Sequence, residues 1–304
     1  MHPITALLTT LGALTVFYVG SWARLAMAAA HARGRHASPA TDARFPTPLQ
    51  TLIGGVTNFF DALGIGSFAT TTTAFTFLRM VPDRVIPGTL NAGHALPTFV
   101  QAFAFTTVIP VDVLTLVTMI TAAVFGAWIG AGIVARWPKR KVQLGMGAAL
   151  LAFAAFALMR QFGLFPEGSA EIGVRGVRLG FAIVGNFALG ALMTLGIGLY
   201  APCMVLVSML GMSERTAFPI MMNSCAFLMP IASLRFIRER SYSLRAAMGL
   251  ALGGIPGVLL AVYIVRELPL YWVRWLVIVV VLYAAVTLLH SALTEHDRVT
   301  EKTA

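Results

Sequence analysis

Charge is what this 304-residue sequence has least of: 11% of its residues are Asp, Glu, Lys or Arg, against about 25% in a soluble domain. That shortfall excludes an ordinary soluble surface. With 58% hydrophobic residues, it places much of the surface in lipid. Acidic residues are the scarcer sign, 12 against 22 Lys and Arg, for a net charge of +10. The basic excess does not read as nucleic-acid binding. It sits in short clusters between apolar runs, as positive-inside loops do. No basic and aromatic stretch is long enough to follow a phosphate backbone. Cysteine is nearly absent: Cys203 and Cys225 lie in apolar segments with neither CxxC spacing nor histidines at zinc-ligand distances. No metal and no cofactor are therefore expected. Also missing are a Ser-His-Asp order, an HExxH helix, a P-loop and a carboxylate pair. The chain reads as a non-enzyme.

What is there is a series of apolar runs, at about 4–21, 87–108, 113–135, 142–160, 217–234, 246–265 and 275–292. Each is near the roughly 20 residues that cross a hydrocarbon core of about 30 Å. The first run carries no Lys or Arg before it; Arg24, Arg33, Arg35 and Arg44 follow it. A secretory signal has the opposite order, so a retained helix with its N-terminus outside is expected. A cleavage site in Ala-rich 26–32 is the alternative.

Two further apolar segments, 49–81 and 181–213, are too long for one span. Each is interrupted near its middle, by Gly64-Ile65-Gly66 and Gly196-Ile197-Gly198. Glycine is a poor interior helix residue and permits positive φ. Arms of about 15 residues reach only about 22 Å as helix, so half-helices meeting at a break inside the membrane are expected. The two segments are related. At an offset of 132, ten of the 34 positions from 63 to 96 match, including both Gly-Ile-Gly breaks, Pro87 with Pro219 and Asn91 with Asn223. Chance gives about 8% in so skewed a composition. This predicts an internal duplication.

Charge then chooses the topology. If each broken segment crossed once, the basic loops 22–48 and 136–141 would lie on opposite sides. If each enters and returns on one side, those loops, 79–84 and 235–245 all lie inside. Each repeat then holds one re-entrant hairpin and three spans. Three is odd, so the second repeat is inverted, which is a transporter design. The expected fold is an all-α integral membrane protein, an inverted repeat of a re-entrant helical hairpin plus three transmembrane helices, with one extra N-terminal helix. Its parts are 1–48 (helix and basic cytoplasmic loop), 49–160 (first repeat), 161–180 (external linker), 181–292 (second repeat) and 293–304 (polar, frayed cytoplasmic tail).

Residues 52–98 and 184–230 resemble the TauE/SafE sulfite exporter family. The likeness is carried by the two glycine breaks, by the run from Gly198 through Tyr200, Pro202 and Cys203 to Gly211, and by glycine-rich 126–132 and 253–257. Thr70 and Arg79 depart from it, standing where the family has Pro and Gly. The resemblance implies a secondary transporter in a bacterial cytoplasmic membrane. Its substrate would be a small sulfur-containing anion such as sulfite or a sulfonate, sulfoacetate for example.

The residues themselves suggest where. The second arm of each hairpin starts just after its glycines, and a helix N-terminus suits an oxyanion. That nominates Gly64, Gly66, Ser67, Gly196, Gly198 and Tyr200 for substrate binding; the competing reading is glycine for tight packing. Thr70 is nominated from the run 70–73, against simple bonding to its own helix. Asn91 and Asn223, each one turn after a proline, form a matched polar pair nominated to bind substrate, against simply bonding a hairpin carbonyl. His94 lies on the face of Asn91 and is nominated with it for substrate binding, and Asp61 is the one acid in the apolar part of either hairpin. Ionisable groups at depth are functional by default, so Asp61 and His94 are the coupling candidates, against a structural pair and a packing histidine. An anion channel, or a cation- or proton-linked protein using Asp61 and His94, are the alternative functions. The partners expected are a small anion and the bilayer, with no nucleic acid. The glycine faces at 126–132 and 253–257 allow packing within one chain or in a homodimer.

Overall fold

A computed structural model describes residues 3–33, 45–134, 139–162, 171–193 and 199–303. The described chain is all helix, with no strand. In order it runs α1 (Pro3–Arg33), α2 (Pro48–Ala62), α3 (Ser67–Phe77), α4 (Ile86–Val108), α5 (Val113–Val134), α6 (Lys139–Gln161), α7 (Gly176–Met193), α8 (Tyr200–Met209), α9 (Ala217–Arg238), α10 (Leu244–Glu267) and α11 (Leu270–Thr303). Among the described residues, five stretches are long and apolar enough to cross a bilayer: Ile4–Met27, Gly176–Met193, Glu214–Arg238, Leu244–Glu267 and Tyr271–Leu293. The chain is a multi-pass membrane protein.

The order of elements recurs. A 3₁₀ turn at Asp83–Val85 precedes α4, and another at Glu214–Thr216 precedes α9. The element starts at 83, 86, 113 and 139 recur, with one constant offset, at 214, 217, 244 and 270. The first long apolar segment is broken into α2 and α3; the second holds α7 and α8, with 194–198 between them outside the described residues.

Contacts gather the chain into two units, Met1–Val108 with Cys225–Arg266, and Ile109–Ser224 with Glu267–Ala304. In the first, α2 lies on α10, backbone to backbone. A Cβ added at Gly253 would stand 1.8 Å from the Thr51 carbonyl oxygen, and one at Gly257 2.2 Å from that of Gly55. Small residues are what allow such approach between apolar helices. Ile53, Phe75, Ile86, Leu90, Ala246 and Leu250 fill the core beside it. Helix α1 docks through buried Tyr18, whose hydroxyl donates to the Ala92 carbonyl at 3.2 Å, and through Trp22, whose indole donates to Tyr242 at 3.2 Å. Val16 and Phe17 on its other side are exposed, as a lipid-facing surface requires. In the second unit α7 lies on α5 in the same manner. A Cβ at Gly126 would meet the Phe187 oxygen at 1.9 Å, and one at Gly190 the Ala123 oxygen at 2.1 Å. Helices α6 and α11 pair through Gly147 against Leu289 and a Gln143–Ser291 hydrogen bond of 3.2 Å. Gly126, Gly253 and Gly257 are thus covered within the chain.

Three expectations change. Helix α1 runs on past 21 to Arg33, because Ala-rich 26–32 is strongly helix-forming and no Gly or Pro stands between Gly20 and Gly34. Helix α11 continues through the tail 293–304 as far as Thr303, since no Gly or Pro follows Pro269. Helix α7 begins at Gly176, not 181, and its 18 residues reach about 27 Å, longer than the expected arm. The loop 136–141 falls partly outside the described residues.

Candidate functional site

The first break is a C-cap followed by an N-cap. Leu63 ends α2, and Gly64 (φ +98°) donates its N–H to the Asp61 carbonyl while Ile65 donates to that of Phe60. This crossed pair is the left-handed glycine stop of a helix. Gly66 (φ +90°) turns the chain again, and α3 starts at Ser67. Gly66 offers no side chain to cap α3. The Asp61 carboxylate does so instead, its Oδ1 accepting from the Ser67 N–H at 2.6 Å. Its Oδ2 accepts from the Gln101 side-chain amide on α4 at 2.8 Å. A carboxylate on backbone N–H at a helix start is a charge-assisted hydrogen bond, helped by the helix dipole. The place expected for a bound oxyanion is therefore held by a carboxylate of the chain itself.

One turn away, His94 bridges α2 and α3. Its Nδ1 stands 3.0 Å from Asn58 Oδ1 and its Nε2 3.0 Å from the Thr71 hydroxyl. The Asn58 amide nitrogen donates to the Gly54 carbonyl at 2.8 Å, which presents Oδ1 to the ring. The network thus assigns the proton to Nδ1, with Nε2 accepting from Thr71. Asn58, Asp61, Ser67, Thr71, His94 and Gln101 are all buried. Every one lies in α2, α3 or α4, inside the first unit.

The remaining candidates divide. Thr70 bonds to the carbonyls of Gly66 and Ser67, the bland alternative for a helical threonine. Asn91 and Asn223 repeat one another: each amide nitrogen donates to the carbonyl of the proline four residues back, at 2.9 Å to Pro87 and 2.8 Å to Pro219. Asn91 belongs to the first unit and Asn223 to the second. Tyr200, the first residue of α8, is buried. Gly196 and Gly198 lie outside the described residues. Among the described residues, no three of His, Cys, Asp and Glu come together to hold a metal.

Sequence reading missed Asn58 and Gln101. A signal existed for both. His94, Thr98 and Gln101 follow each other by four and three residues, a polar stripe on one face of α4, and Asn58 stands one turn before Asp61 on α2.

Comparison with protein families, with curated proteins and with solved structures gives no match. The likeness to the sulfite exporter family rests on the quoted residues alone.

Proposed function

We propose that this protein is a secondary transporter of the sulfite-exporter type. It carries a small sulfur-containing anion across a bacterial cytoplasmic membrane by alternating access. Its two halves are an inverted repeat, each with one re-entrant hairpin. The observation that carries the reading is the first break. The 15 and 11 residues of α2 and α3 reach about 22 and about 16 Å as helices, too short for a core of about 30 Å. Unpaired backbone at such depth is tolerated only when covered by protein or lining a cavity. Broken helices of this kind hold substrate in secondary transporters. The recurrence of element starts at a constant offset supports the duplication. The backbone about Gly64, Gly66 and Ser67 is the substrate contact of the first half, the Ser67 N–H opening to the anion when the Asp61 carboxylate leaves it. Gly196, Gly198 and Tyr200 take that role in the second, with Asn91 and Asn223 one helix further on. The protein performs no covalent chemistry, and it moves its substrate against a gradient only by using another gradient.

A second reading is favoured by one feature. The carboxylate seated at the start of α3 suits a cation- or proton-linked protein.

The test is thermal stability of the detergent-purified protein against sulfite, thiosulfate, sulfoacetate, taurine, sulfate and acetate. A ligand at about one hundred times its dissociation constant adds about 2.7 kcal/mol. A shift selective for sulfur oxyanions supports anion transport. A shift with sodium alone overturns it in favour of a cation.

A further inference from the structure

We infer that Asp61 is the proton-binding group that couples anion movement to protons. The inference rests on the anion-transport reading above and adds the coupling ion.

Helices α2, α3 and α4 bring only two ionisable side chains to the break, Asp61 and His94. Helix α3 has none. Helix α10, which packs on the Gly54–Gly55 face of α2, carries Arg245 near its start and Arg266 and Glu267 at its end, with Tyr263 exposed. The part of α9 beside α4 carries Arg235 and Arg238 in its last turn.

His94 is poorly arranged to take a proton. Its Nδ1–H is committed to Asn58, and its Nε2 already accepts from Thr71. A proton on Nε2 would set two donors against each other until the Thr71 hydroxyl turned away.

Asp61 has a ready second arrangement. Protonation makes one oxygen a donor. The Ser67 N–H is backbone and cannot reverse, but the Gln101 amide can rotate to offer its oxygen. The proton therefore has a place on Oδ2, facing a turned Gln101. The other oxygen, now neutral, loses the charge assistance that holds it on Ser67.

The ionised carboxylate and a substrate anion compete for the same helix start, and like charges there repel. Anion binding then favours the proton on Asp61. By reciprocity the proton favours the anion to the same degree. One proton travels with each anion, in the same direction. The second hairpin adds no proton of its own, since Met193 stands at the position that matches Asp61.

The experiment uses the purified full-length protein in weak buffer with a pH-indicator dye. The probes are thiosulfate and sulfoacetate, neither of which titrates near neutral pH. Proton uptake per bound anion is read alongside thermal stability at about pH 5.5 and about pH 8, values that bracket neutrality. The expected result is close to one proton taken up per anion, several-fold tighter binding at the lower pH, and Asp61→Asn binding the anion equally at both pH values with no uptake. Uptake that persists in Asp61→Asn overturns the inference. If Asp61→Asn does not fold, His94→Gln decides: uptake surviving in it supports Asp61, and uptake lost in it overturns Asp61. Anion binding without proton uptake in the wild type sinks the coupling and leaves the transport reading standing. No response to either anion at either pH removes the transport reading, and the inference with it.

Discussion

The hydrogen-bonded cluster at the first break and the positions that match it in the second half of the sequence are of opposite chemistry. Around the first are Asn58, Asp61, Ser67, Thr71, His94 and Gln101. The matching positions of the second half read Gly190, Met193, Leu199, Cys203, Ala226 and Ser233. The first break is fastened by side-chain hydrogen bonds that join three helices, whereas α8 buries Tyr200, Cys203 and Met204. Backbone packing has been kept alike. The approach of Gly257 to the Gly55 oxygen corresponds to that of Gly126 to the Phe187 oxygen, at 2.2 and 1.9 Å for an added Cβ. The difference teaches that close helix contact is a demand of the architecture, and both halves must meet it. The buried polar network is not such a demand, for among the described residues it is built on the first half's positions and not on the matching ones.

The largest effects test the shared part. Gly126→Ala and Gly257→Ala each drive a methyl into a backbone carbonyl that no rotamer change can move. Each should cost about 2–3 kcal/mol, the upper range of overpacking, seen as a lower unfolding temperature in detergent. Similar losses in both variants sustain the equivalence of the halves. A loss in one alone breaks it.

The next effect tests the unshared part. Asp61→Ala removes the acceptor of the Ser67 N–H and of the Gln101 amide, at a cost of about 2 kcal/mol. Met193→Leu, the same position of the other half, conserves volume and should cost less than about 1 kcal/mol. Equal losses by thermal unfolding would mean that the polar network holds nothing that packing does not.

How much of this the sequence revealed follows from the same division. The glycine break at 64–66 and the recurrence of element starts are local or periodic, and periodicity is what a sequence displays. The pairing of α2 with α10 and of α7 with α5 is not local. Each pair joins a helix of one half of the chain to a helix of the other, and no spacing rule announces that exchange. The site was half legible. Asp61 and His94 stand out as ionisable groups in apolar segments. Their partners are neutral amides and hydroxyls, ordinary in any helix, and become informative only when Gln101 is found 2.8 Å from Asp61 and Asn58 3.0 Å from His94. That Asp61 itself caps α3 needed the turn at Gly66, which brings Ser67 back onto the carboxylate of the preceding helix.

A smaller effect lies at two helix starts. Asp112 caps α5, accepting from the Thr115 N–H at 2.8 Å. Ser243, at the matching place in the second half, caps α10 more loosely, at 3.5 Å from the Ala246 N–H. Asp112 also takes both guanidinium nitrogens of Arg175, at 2.5 and 2.7 Å. Those bonds, then the Thr115 contacts, hold its carboxyl below the usual carboxylate range, against a desolvation effect that acts the other way. A group whose folded value is depressed stabilises the fold above its unfolded value, about 4, and that contribution is lost as pH falls through the folded value. Unfolding temperature should therefore fall as pH drops below about 4, and Arg175→Leu should flatten that part of the curve. The effect is modest, because exposed ion pairs are screened. Ser243→Ala, which removes an uncharged cap, should lower stability by the same amount at every pH.

The smallest effect concerns the ends of the second arms. Arg79 after α3 and Gly211 after α8 occupy matching positions and adopt the same left-handed backbone, φ +49° and +79°. Both close the same crossed pair of hydrogen bonds, Arg79 to Thr76 with Met80 to Phe75, and Gly211 to Ser208 with Met212 to Val207. Glycine takes that conformation freely, whereas a side chain there costs about 1–2 kcal/mol. Arg79→Gly relieves the strain and in turn loosens the unfolded chain by about 0.4–1 kcal/mol, so a small rise in unfolding temperature is expected. Gly211→Arg should lower it by more, since strain is added where none existed. A fall with Arg79→Gly would mean that the exposed guanidinium contributes more than the backbone loses. Arginine would then stand in this half for its positive charge, and the asymmetry between the halves would extend from the buried site to the basic loops.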